Sequence, residues 1–425
     1  MSQQSYRVVV LSFEGPDAYS FVGGLGVRVA ELTQALSEAG LDTHLVFVGS
    51  PDAPAVERVG PRLELRRWGQ WISAHHRDGV YDGEPGKVLD YARSVPPFLV
   101  EDVIEPASRR GEHVLVLAED WQTADALISL DRMLRGRGLR HAATLIWNAN
   151  NTYGFERIDL QGLAAAATLT AVSKYMKFEL ALAGVPSLVI PNGIPTRLLA
   201  GPDEGDVQLL RAAMAGSPFF IKVGRYSPDK AWFQAVDAIA ALRASGIPAR
   251  LIVRGGKEAY GVEVLARARH LGLRVAEVRA AGREVQHIHD ALKNCDADVL
   301  DVRAFLEEPV LYALYAAADA VLANSKKEPF GLVGLEVMAA GGVAVCGSTG
   351  EEYAEPFVNA IVTDTEEGRE LATALATLLR DPAMGPAIRA AGLETARRYV
   401  WPVVIETLQR KLPFIGSLQH GTLAI

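Results

Sequence analysis

One local pattern constrains the fold most, because it occurs in both halves of the chain: an apolar strand, a short loop, an amphipathic helix and a second apolar strand. It begins with YRVVVLSFEG at residue 6 and again with PFFIKVG at residue 218, and a third copy contains NSKKEPFGLVGLEVMAAGG at residues 324–342. Each copy predicts a βαβ unit whose two strands are parallel. The chain is therefore expected to be an α/β protein.

The length of the chain indicates two domains. It has 425 residues, whereas a single core rarely grows beyond about 250–300 residues. Prolines and glycines cluster at residues 191–205 and mark a boundary. A TIM barrel is harder to exclude by pattern alone, but a glycine-loop unit at the start of each half favours two Rossmann-like, doubly wound domains, 1–200 and 206–400, facing a central cleft. Residues 401–425 are expected to form a last helix.

Composition excludes several classes of protein. The net charge is −8, so attraction to nucleic acid is not expected. No apolar run approaches the roughly 18 residues of a membrane-spanning helix, while a peripheral membrane contact is left open. Two cysteines, Cys295 and Cys346, are too few for a disulfide framework, so a reducing, cytoplasmic location is expected.

The first candidate site is the glycine loop FVGGLGV at residues 21–27. Glycines let backbone N–H groups approach a ligand closely, and the start of the following helix favours an anion. The loop does not match the dinucleotide fingerprint, because Val29 stands where the last glycine would be, so a nicotinamide cofactor is not favoured. The alternative is a tight turn from strand to helix.

The second candidate site is VGRYSPDK, in which Arg225 and Lys230 flank a turn between a strand and a helix. Arginine can fork onto two oxygens and lysine supplies a point charge, so the pair suits a diphosphate. The alternative is a pair of solvated loop charges.

The third candidate site is EPFGLVGLE, with Glu328 and Glu336 at its ends. Pro329 suits a helix start, which would present free N–H groups at residues 330–332 to an anion. Glu336 would lie about two turns into this helix among apolar residues, where a carboxylate needs donors such as ribose hydroxyls. Glu328 could accept from sugar hydroxyls. The alternative is two unrelated glutamates, one of which caps the helix.

In this order and spacing, the motifs resemble retaining, nucleotide-sugar-dependent glycosyltransferases of the GT-B fold, the group 1 or family 4 enzymes related to glycogen and starch synthases. The most specific motif is the glutamate pair Glu328 and Glu336, an E-x7-E element. Arg225 with Lys230, the GGLG loop, EDWQTAD from residue 119, TAVSKYM from residue 170 and IPNGI from residue 190 support it. The resemblance covers nearly the whole chain.

The resemblance implies a set of functional residues. The catalytic group would be Glu328, Arg225, Lys230 and Asn148. The donor site would be Gly24, Arg225, Lys230, Glu328, Phe330, Gly331, Leu332, Val333 and Glu336. The acceptor side or cleft would contain Gly23, Asp120 and Asn150. No metal and no other cofactor are implied, because the Arg–Lys pair takes the place of a divalent cation.

The implied reaction moves a hexose from a UDP-, GDP- or ADP-linked sugar to a hydroxyl of an unidentified carbohydrate or small-molecule acceptor, with retention at the anomeric carbon. Residues 1–200 would bind the acceptor and residues 206–400 the nucleotide sugar. The helix at residues 401–425 would cross back to the N-terminal domain.

Two departures from the family pattern stand out. Phe21 and Val27 occupy the positions of a lysine and an aspartate in glycogen and starch synthases, which argues against a plain glycogen synthase. Relatives also tend to carry a histidine where this chain has Asn148, Asn150 and Asn151. Either an asparagine positions the sugar, or activity is low, or the site is specialised, and turn chemistry is the structural alternative.

Three other functions compete with a transferase. A sugar-nucleotide epimerase has a similar fold but does not normally carry the E-x7-E element. A glycosidase would use Glu328 and Glu336 as paired carboxylates, yet has no need of Arg225 and Lys230. A non-catalytic sugar-nucleotide-binding protein of the same fold is supported only by the missing histidine.

Overall fold

The computed structural model describes residues 6–214 and 216–420, and the chain divides into two compact units. The first unit takes Met1–Pro195 and Val400–Ile425, and the second takes Thr196–Tyr399. The division thus falls a few residues before the predicted boundary at 200–206. No helix in the part of the chain that the structure describes is long and apolar enough to cross a membrane.

The first unit is built on an eight-stranded sheet. Its strands are β1 (Tyr6–Leu11), β2 (Asp42–Val48), β3 (Val56–Val59), β4 (Leu63–Trp68), β5 (His113–Glu119), β6 (Ala143–Ala149), β7 (Thr168–Ala171) and β8 (Leu188–Val189). Their order across the sheet is β3-β4-β2-β1-β5-β6-β7-β8. All pairs are parallel except β3 with β4.

Helices connect these strands, as parallel pairing requires. They are α1 (Gly24–Glu38), α2 (Gln70–Ser73), α3 (Glu84–Phe98), α4 (Glu105–Arg109), α5 (Ala124–Gly136), α6 (Leu160–Ala166) and α7 (Lys174–Leu182). A π-helical stretch, Leu99–Ile104, joins α3 to α4.

The second unit is built on a seven-stranded, fully parallel sheet. Its strands are β9 (Phe219–Val223), β10 (Arg250–Arg254), β11 (Val275–Val278), β12 (Val299–Val302), β13 (Ala320–Ala323), β14 (Ala344–Cys346) and β15 (Ile361–Val362). Their order is β11-β12-β10-β9-β13-β14-β15.

The helices of the second unit alternate with its strands. They are α8 (Glu204–Ala213), α9 (Trp232–Ala244), α10 (Tyr260–His270), α11 (Val285–Lys293), α12 (Glu308–Ala317), α13 (Leu332–Ala339), α14 (Gly368–Arg380) and α15 (Met384–Ala396). The three βαβ units predicted from the sequence are confirmed, because β1 pairs with β2, β9 with β10 and β13 with β14, all in parallel.

The last helix, α16 (Trp401–His420), belongs to the first unit. Trp401, Ile405 and Leu408 pack into the core formed around β1, β2 and β5. A Cβ at Gly193 would lie 2.5 Å from the Trp401 ring, so the IPNGI segment needs glycine at this position. The helix therefore packs on the first unit, although it follows the second unit in the chain.

In each sheet the chain adds strands on one side of its first strand and then crosses to the other side, and this crossing positions the candidate site. In the first unit the crossing falls between β1 and β5, and in the second between β9 and β13. Doubly wound sheets bind ligands at the carboxyl ends of the strands at such switch points. The loops that follow these four strands are therefore the expected ligand-binding loops.

Candidate active site

Arg225 and Lys230 lie in the loop that follows β9. The Arg225 side chain is exposed, and within the described residues it forms no ion pair or hydrogen bond. Its backbone is fixed, because the Trp232 indole N–H donates to the Arg225 carbonyl at 2.8 Å. Lys230 ends a 3-10 turn, Pro228–Lys230, and is half-buried. A fixed backbone with an available guanidinium suits an incoming anion.

Glu328, in the loop after β13, meets Lys230 directly. The Lys230 Nζ lies 2.6 Å from a Glu328 carboxylate oxygen, and the two side chains are 26% and 19% exposed. The Glu328 N–H donates to the Thr349 hydroxyl at 2.9 Å, which fixes the loop. The structure thus brings together two residues that are 98 positions apart in the sequence.

The start of α13 differs from the prediction. The helix begins at Leu332, so Phe330 and Gly331 precede it and Glu336 is its fifth residue rather than two turns in. Gly331 has a φ of 81°, a conformation that favours glycine. The first-turn N–H groups of Leu332 and Val333 have no acceptor within the helix. The Phe330 side chain is buried and packs against Tyr353 and Tyr399, so only its backbone is available to a ligand.

A buried acid that the sequence did not single out supports the same loop. Glu351 is 5% exposed and accepts from the Gly347 N–H at 3.3 Å. A Cβ at Gly331 would lie 2.5 Å from the Glu351 side chain. Burial, and then the charge of Glu328, raise the pKa of Glu351 to about 8. A carboxyl group therefore stays largely protonated beside the start of α13 at neutral pH.

The glycine loop of the first unit meets an internal anion. One carboxylate oxygen of Glu14 accepts from the N–H groups of Val22, Gly23 and Gly26, at 3.3, 3.1 and 3.0 Å. The other oxygen accepts from the Tyr81 hydroxyl. The Gly23 and Gly26 amides, expected to face a ligand, thus already have a partner, whereas Gly24 is exposed. Substrate contacts by Gly23 and Gly24 stay predictions.

A buried ion pair lies at the carboxyl end of β5, whose last residue is Glu119. Arg28, on α1, binds Glu119 through two parallel hydrogen bonds of 3.0 Å each, and both residues are at most 5% exposed. Arg28 also donates to the Asn192 side chain. Bidentate geometry and further donors are what a buried ion pair needs to offset desolvation.

Asn148 and Asn150 complete the shell around Glu119. The two side-chain amides donate to the same Glu119 oxygen at 2.9 and 2.7 Å, and Asn148 also accepts from the Thr170 hydroxyl at 2.9 Å. Asn148 is 4% exposed, and both its amide nitrogen and its amide oxygen form hydrogen bonds within the first unit. Its contacts favour fixing Glu119 over touching a sugar, which differs from the catalytic role predicted for it.

Asp120 has an unusual backbone and an unusual pKa. Its φ is 60°, which is rare for a residue other than glycine, and it is 5% exposed. It accepts from the Asn150 N–H at 2.9 Å and from the Asn151 side chain at 3.0 Å. Burial is the main reason that the pKa of Asp120 rises to about 7. Strained and titration-shifted residues of this kind cluster at functional sites.

The cavity beside this network is small. The cavity is about 20 Å³ in volume, large enough for one water and too small for a sugar. Its lining includes Arg28, Glu119, Asn148, Thr170 and Trp401. The network formed by Arg28, Glu119, Asn148 and Asn150 therefore supports the first unit internally and leaves no room for a substrate. We call this network the frame of the first unit.

Residues 212–395 match the family model described as glycosyl transferases group 1. The match includes Arg225, Lys230, Glu328 and Glu336. The matched residues lie within the second unit, which therefore resembles the group 1 glycosyltransferases.

The chain is similar to known proteins along most of its length. A glycogen synthase of Bordetella petrii is 27% identical, with 91% of this chain and 85% of that protein covered. A sucrose-phosphate synthase from Thermosynechococcus elongatus matches with a TM-score of 0.65 at 18% identity, covering 96% of this chain and 98% of that one. The HepE protein of Anabaena, solved in complex with UDP, matches with a TM-score of 0.62 at 19% identity, covering 96% and 99%. The predicted GT-B fold class and the enzyme class are confirmed.

Two further charged residues, Arg28 and Lys222, were not identified from the sequence, although the pattern around each one indicates burial. Arg28 lies on the same face of α1 as Leu32 and Leu36, four and eight residues on, and an arginine in an apolar stripe indicates a buried ion pair. Lys222 interrupts the apolar strand PFFIKVG and is 2% exposed.

Proposed function

We propose that this chain is a retaining, metal-independent glycosyltransferase, and that it moves a hexose from a nucleoside diphosphate sugar to a hydroxyl acceptor. The observation that carries the proposal is the Lys230–Glu328 pair at 2.6 Å, which joins the loops that follow β9 and β13. The exposed Arg225 lies in the same loop as Lys230. Cations and a carboxylate at a switch point suit a ligand with both phosphates and hydroxyls.

Each residue has a proposed role in donor binding. Arg225 and Lys230 bind the diphosphate, and the N–H groups at the start of α13 contact the phosphate next to the sugar. Glu328 accepts from sugar hydroxyls, so the Lys230–Glu328 contact is shared with the donor after binding. Glu336 accepts from the ribose hydroxyls.

The proposed chemistry depends on the leaving group. As the anomeric C–O bond breaks, negative charge develops on the departing diphosphate, where Arg225 and Lys230 stabilise it. The acceptor oxygen forms the new bond on the same face of the sugar, and its proton passes to the departing phosphate oxygen or to solvent. The two cations supply the charge that other transferases take from a metal, so full activity is expected in the presence of a chelator.

Acceptor binding is proposed for the first unit, around Gly23, Asp120 and Asn150. The names of the relatives differ in product, glycogen in one and sucrose phosphate in another. The acceptor is therefore proposed only as a carbohydrate or small molecule with a free hydroxyl.

The test is a thermal shift series with UDP-, GDP- and ADP-sugars. A ligand at a hundredfold excess over its Kd stabilises the native state by about 2.7 kcal/mol, which gives a clear rise in Tm. The best donor then enters a transfer assay with an acceptor panel, with and without EDTA, and NMR gives the anomeric configuration of the product. If no nucleotide sugar raises the Tm, the proposal is wrong. If the product has the inverted anomeric configuration, the enzyme is not retaining.

A further inference from the structure

A buried lysine lies behind the proposed donor site. Lys222 is the fourth residue of β9, the strand next to the switch point of the second sheet, and is 2% exposed. Burying an ammonium group is costly unless it is paired. A lysine in an otherwise apolar strand therefore needs an explanation beyond packing.

The partners of Lys222 are all uncharged. Its Nζ donates to the Leu322 carbonyl at 2.9 Å and to the Asn324 side-chain oxygen at 2.8 Å, and it lies 5.4 Å from the centre of the Trp232 ring. Across the described residues no carboxylate forms an ion pair with Lys222. Its charge is therefore solvated by dipoles and a ring but not neutralised.

Two charged groups act on Lys222, and both belong to the proposed donor site. Burial, and then the charge of Lys230, lower the pKa of Lys222 to about 7, while Glu328 raises it. Glu351 affects Lys222 only indirectly, because it interacts with Glu328 and Lys230. The protonation of Lys222 thus depends on the net charge of the pair that would meet the diphosphate.

The chain also connects Lys222 directly to the donor loops. Lys222 precedes Arg225 by three residues, and its hydrogen-bond partner Asn324 precedes Glu328 by four. Asn324 in turn donates to the side chain of Gln234, on α9. Lys222 is therefore tied to the loop ends of β9 and β13 and to the helix that follows the Arg225 loop.

We propose that Lys222 is a positioning residue that takes up one proton from solvent when a nucleoside diphosphate binds at Arg225 and Lys230, and thereby adds a buried positive charge behind the diphosphate. This rests on the proposed function. The added negative charge of the ligand favours the ammonium form in a region of low dielectric. The change is R–NH2 + H⁺ → R–NH3⁺, and both hydrogen bonds of Nζ persist in either form.

Calorimetry at pH 8 with UDP and GDP tests this. The last phosphate pKa of such ligands is about 6, so at pH 8 the free nucleotide is fully ionised and contributes little to proton uptake. The binding enthalpy is measured in two buffers with different ionisation enthalpies, which gives the number of protons taken up. We expect uptake of a large fraction of one proton by the wild type and none by Lys222→Met.

Glu351 also lies near the donor loops and has a pKa of about 8, so it too could take up a proton and Glu351→Gln is the control. We expect this variant to keep most of the uptake. If Lys222→Met takes up as many protons as the wild type, or if Glu351→Gln abolishes the uptake, the Lys222 proposal is wrong. If neither nucleotide binds the wild type, the donor site itself is wrong and this inference is overturned with it.

A second measurement covers the case in which Lys222→Met does not fold. For the wild type, the affinity should fall on the order of tenfold between pH 7 and pH 9, because the proton must then be taken from a more dilute pool. Lys222→Arg carries a permanent charge, so its affinity should fall less over that range than that of the wild type and exceed it at pH 9. A flat wild-type profile contradicts the proposal without any variant.

Discussion

At the switch point of each sheet, a loop leads from a strand to a helix. The two units differ in how far the charged side chains near these loops are buried and paired. In the first unit Glu14 and Glu119 are buried, and donors of the same unit occupy their carboxylates. In the second unit Arg225 is exposed, and the Lys230–Glu328 pair is partly exposed. The charged groups of the first unit are thus already paired within the protein, whereas those of the second unit are accessible to a ligand.

This difference shows why a glycine loop alone is weak evidence for a ligand site. N–H groups at a helix start attract an anion, but the anion can be the protein's own side chain, as Glu14 is at the GGLG loop. At α13 the neighbouring acid, Glu351, has its pKa raised to about 8, so it competes little for the same N–H groups at neutral pH. The comparison therefore favours a structural role for the three N–H groups that Glu14 occupies, whereas those at the start of α13 stay available to the proposed donor.

The largest expected effect comes from breaking the frame of the first unit. Arg28→Met leaves Glu119 buried without its ion-pair partner, which typically costs 3–5 kcal/mol. Five of the six tryptophans, all except Trp232, lie in the first unit, so tryptophan fluorescence during urea unfolding reports mainly on that unit. We expect its transition to move to markedly lower urea concentration.

The matched control is the double variant Arg28→Met with Glu119→Gln. Removing the orphaned charge should recover part of the loss, because the penalty comes from the unpaired carboxylate. A single variant as stable as the wild type would show that the ion pair is not part of the frame.

The second expected effect is a pH dependence due to Asp120. Its folded pKa is raised to about 7, mainly by burial, so the stability it contributes is full below its unfolded pKa, near 4, and is lost as pH rises through 7. Asp120→Asn should therefore gain on the order of 2–4 kcal/mol relative to the wild type between pH 4 and pH 8. Urea unfolding at several pH values measures the difference. Asp125→Asn, at an exposed position of α5, is the control, and its stability should change with pH as that of the wild type does. If the stability of Asp120→Asn also changes with pH as in the wild type, the pKa of Asp120 is not raised.

The third expected effect concerns the open loop region of the second unit. Arg225→Ala and Glu336→Ala should each weaken nucleotide binding about 10- to 100-fold, because a hydrogen bond to a charged group contributes about 1.5–3 kcal/mol. Calorimetric titration with the best nucleotide measures this. Arg380→Ala, exposed at the end of α14, should bind like the wild type. Unchanged binding in both site variants would mean that the donor site is misplaced.

Much of the fold was predictable because it is written in local patterns. Apolar strands, helices of regular period and glycine stops gave the three βαβ units, all observed as parallel pairs. The start of α13 was not predictable locally. Pro329 indicated an earlier start, but burial of Phe330 against Tyr353 and Tyr399 and the left-handed Gly331 delay the helix to Leu332.

The site contacts depend on strand order, which no local pattern contains. Lys230 meets Glu328 because β9 pairs with β13, and Arg28 meets Glu119 because β1 pairs with β5. The role of Glu14 was hidden for a related reason. Its partner Tyr81 is 67 residues away, so the sequence displays the glycines but not the anion that occupies their N–H groups.

The smallest expected effect comes from removing the Glu14 carboxylate, which frees the N–H groups of the GGLG loop for an external anion. Glu14→Ala removes the acceptor of three N–H groups, at Val22, Gly23 and Gly26. Of these residues only Gly26 is buried, and one buried donor left without an acceptor costs about 1–3 kcal/mol. The vacated site should then bind an external anion, so inorganic phosphate should raise the Tm of the variant more than that of the wild type. Glu14→Gln retains an oxygen at this position and should respond like the wild type. If phosphate stabilises all three proteins equally, the N–H groups of the GGLG loop do not form an anion site even when free. The contrast between the two loops would then come from their backbones rather than from Glu14.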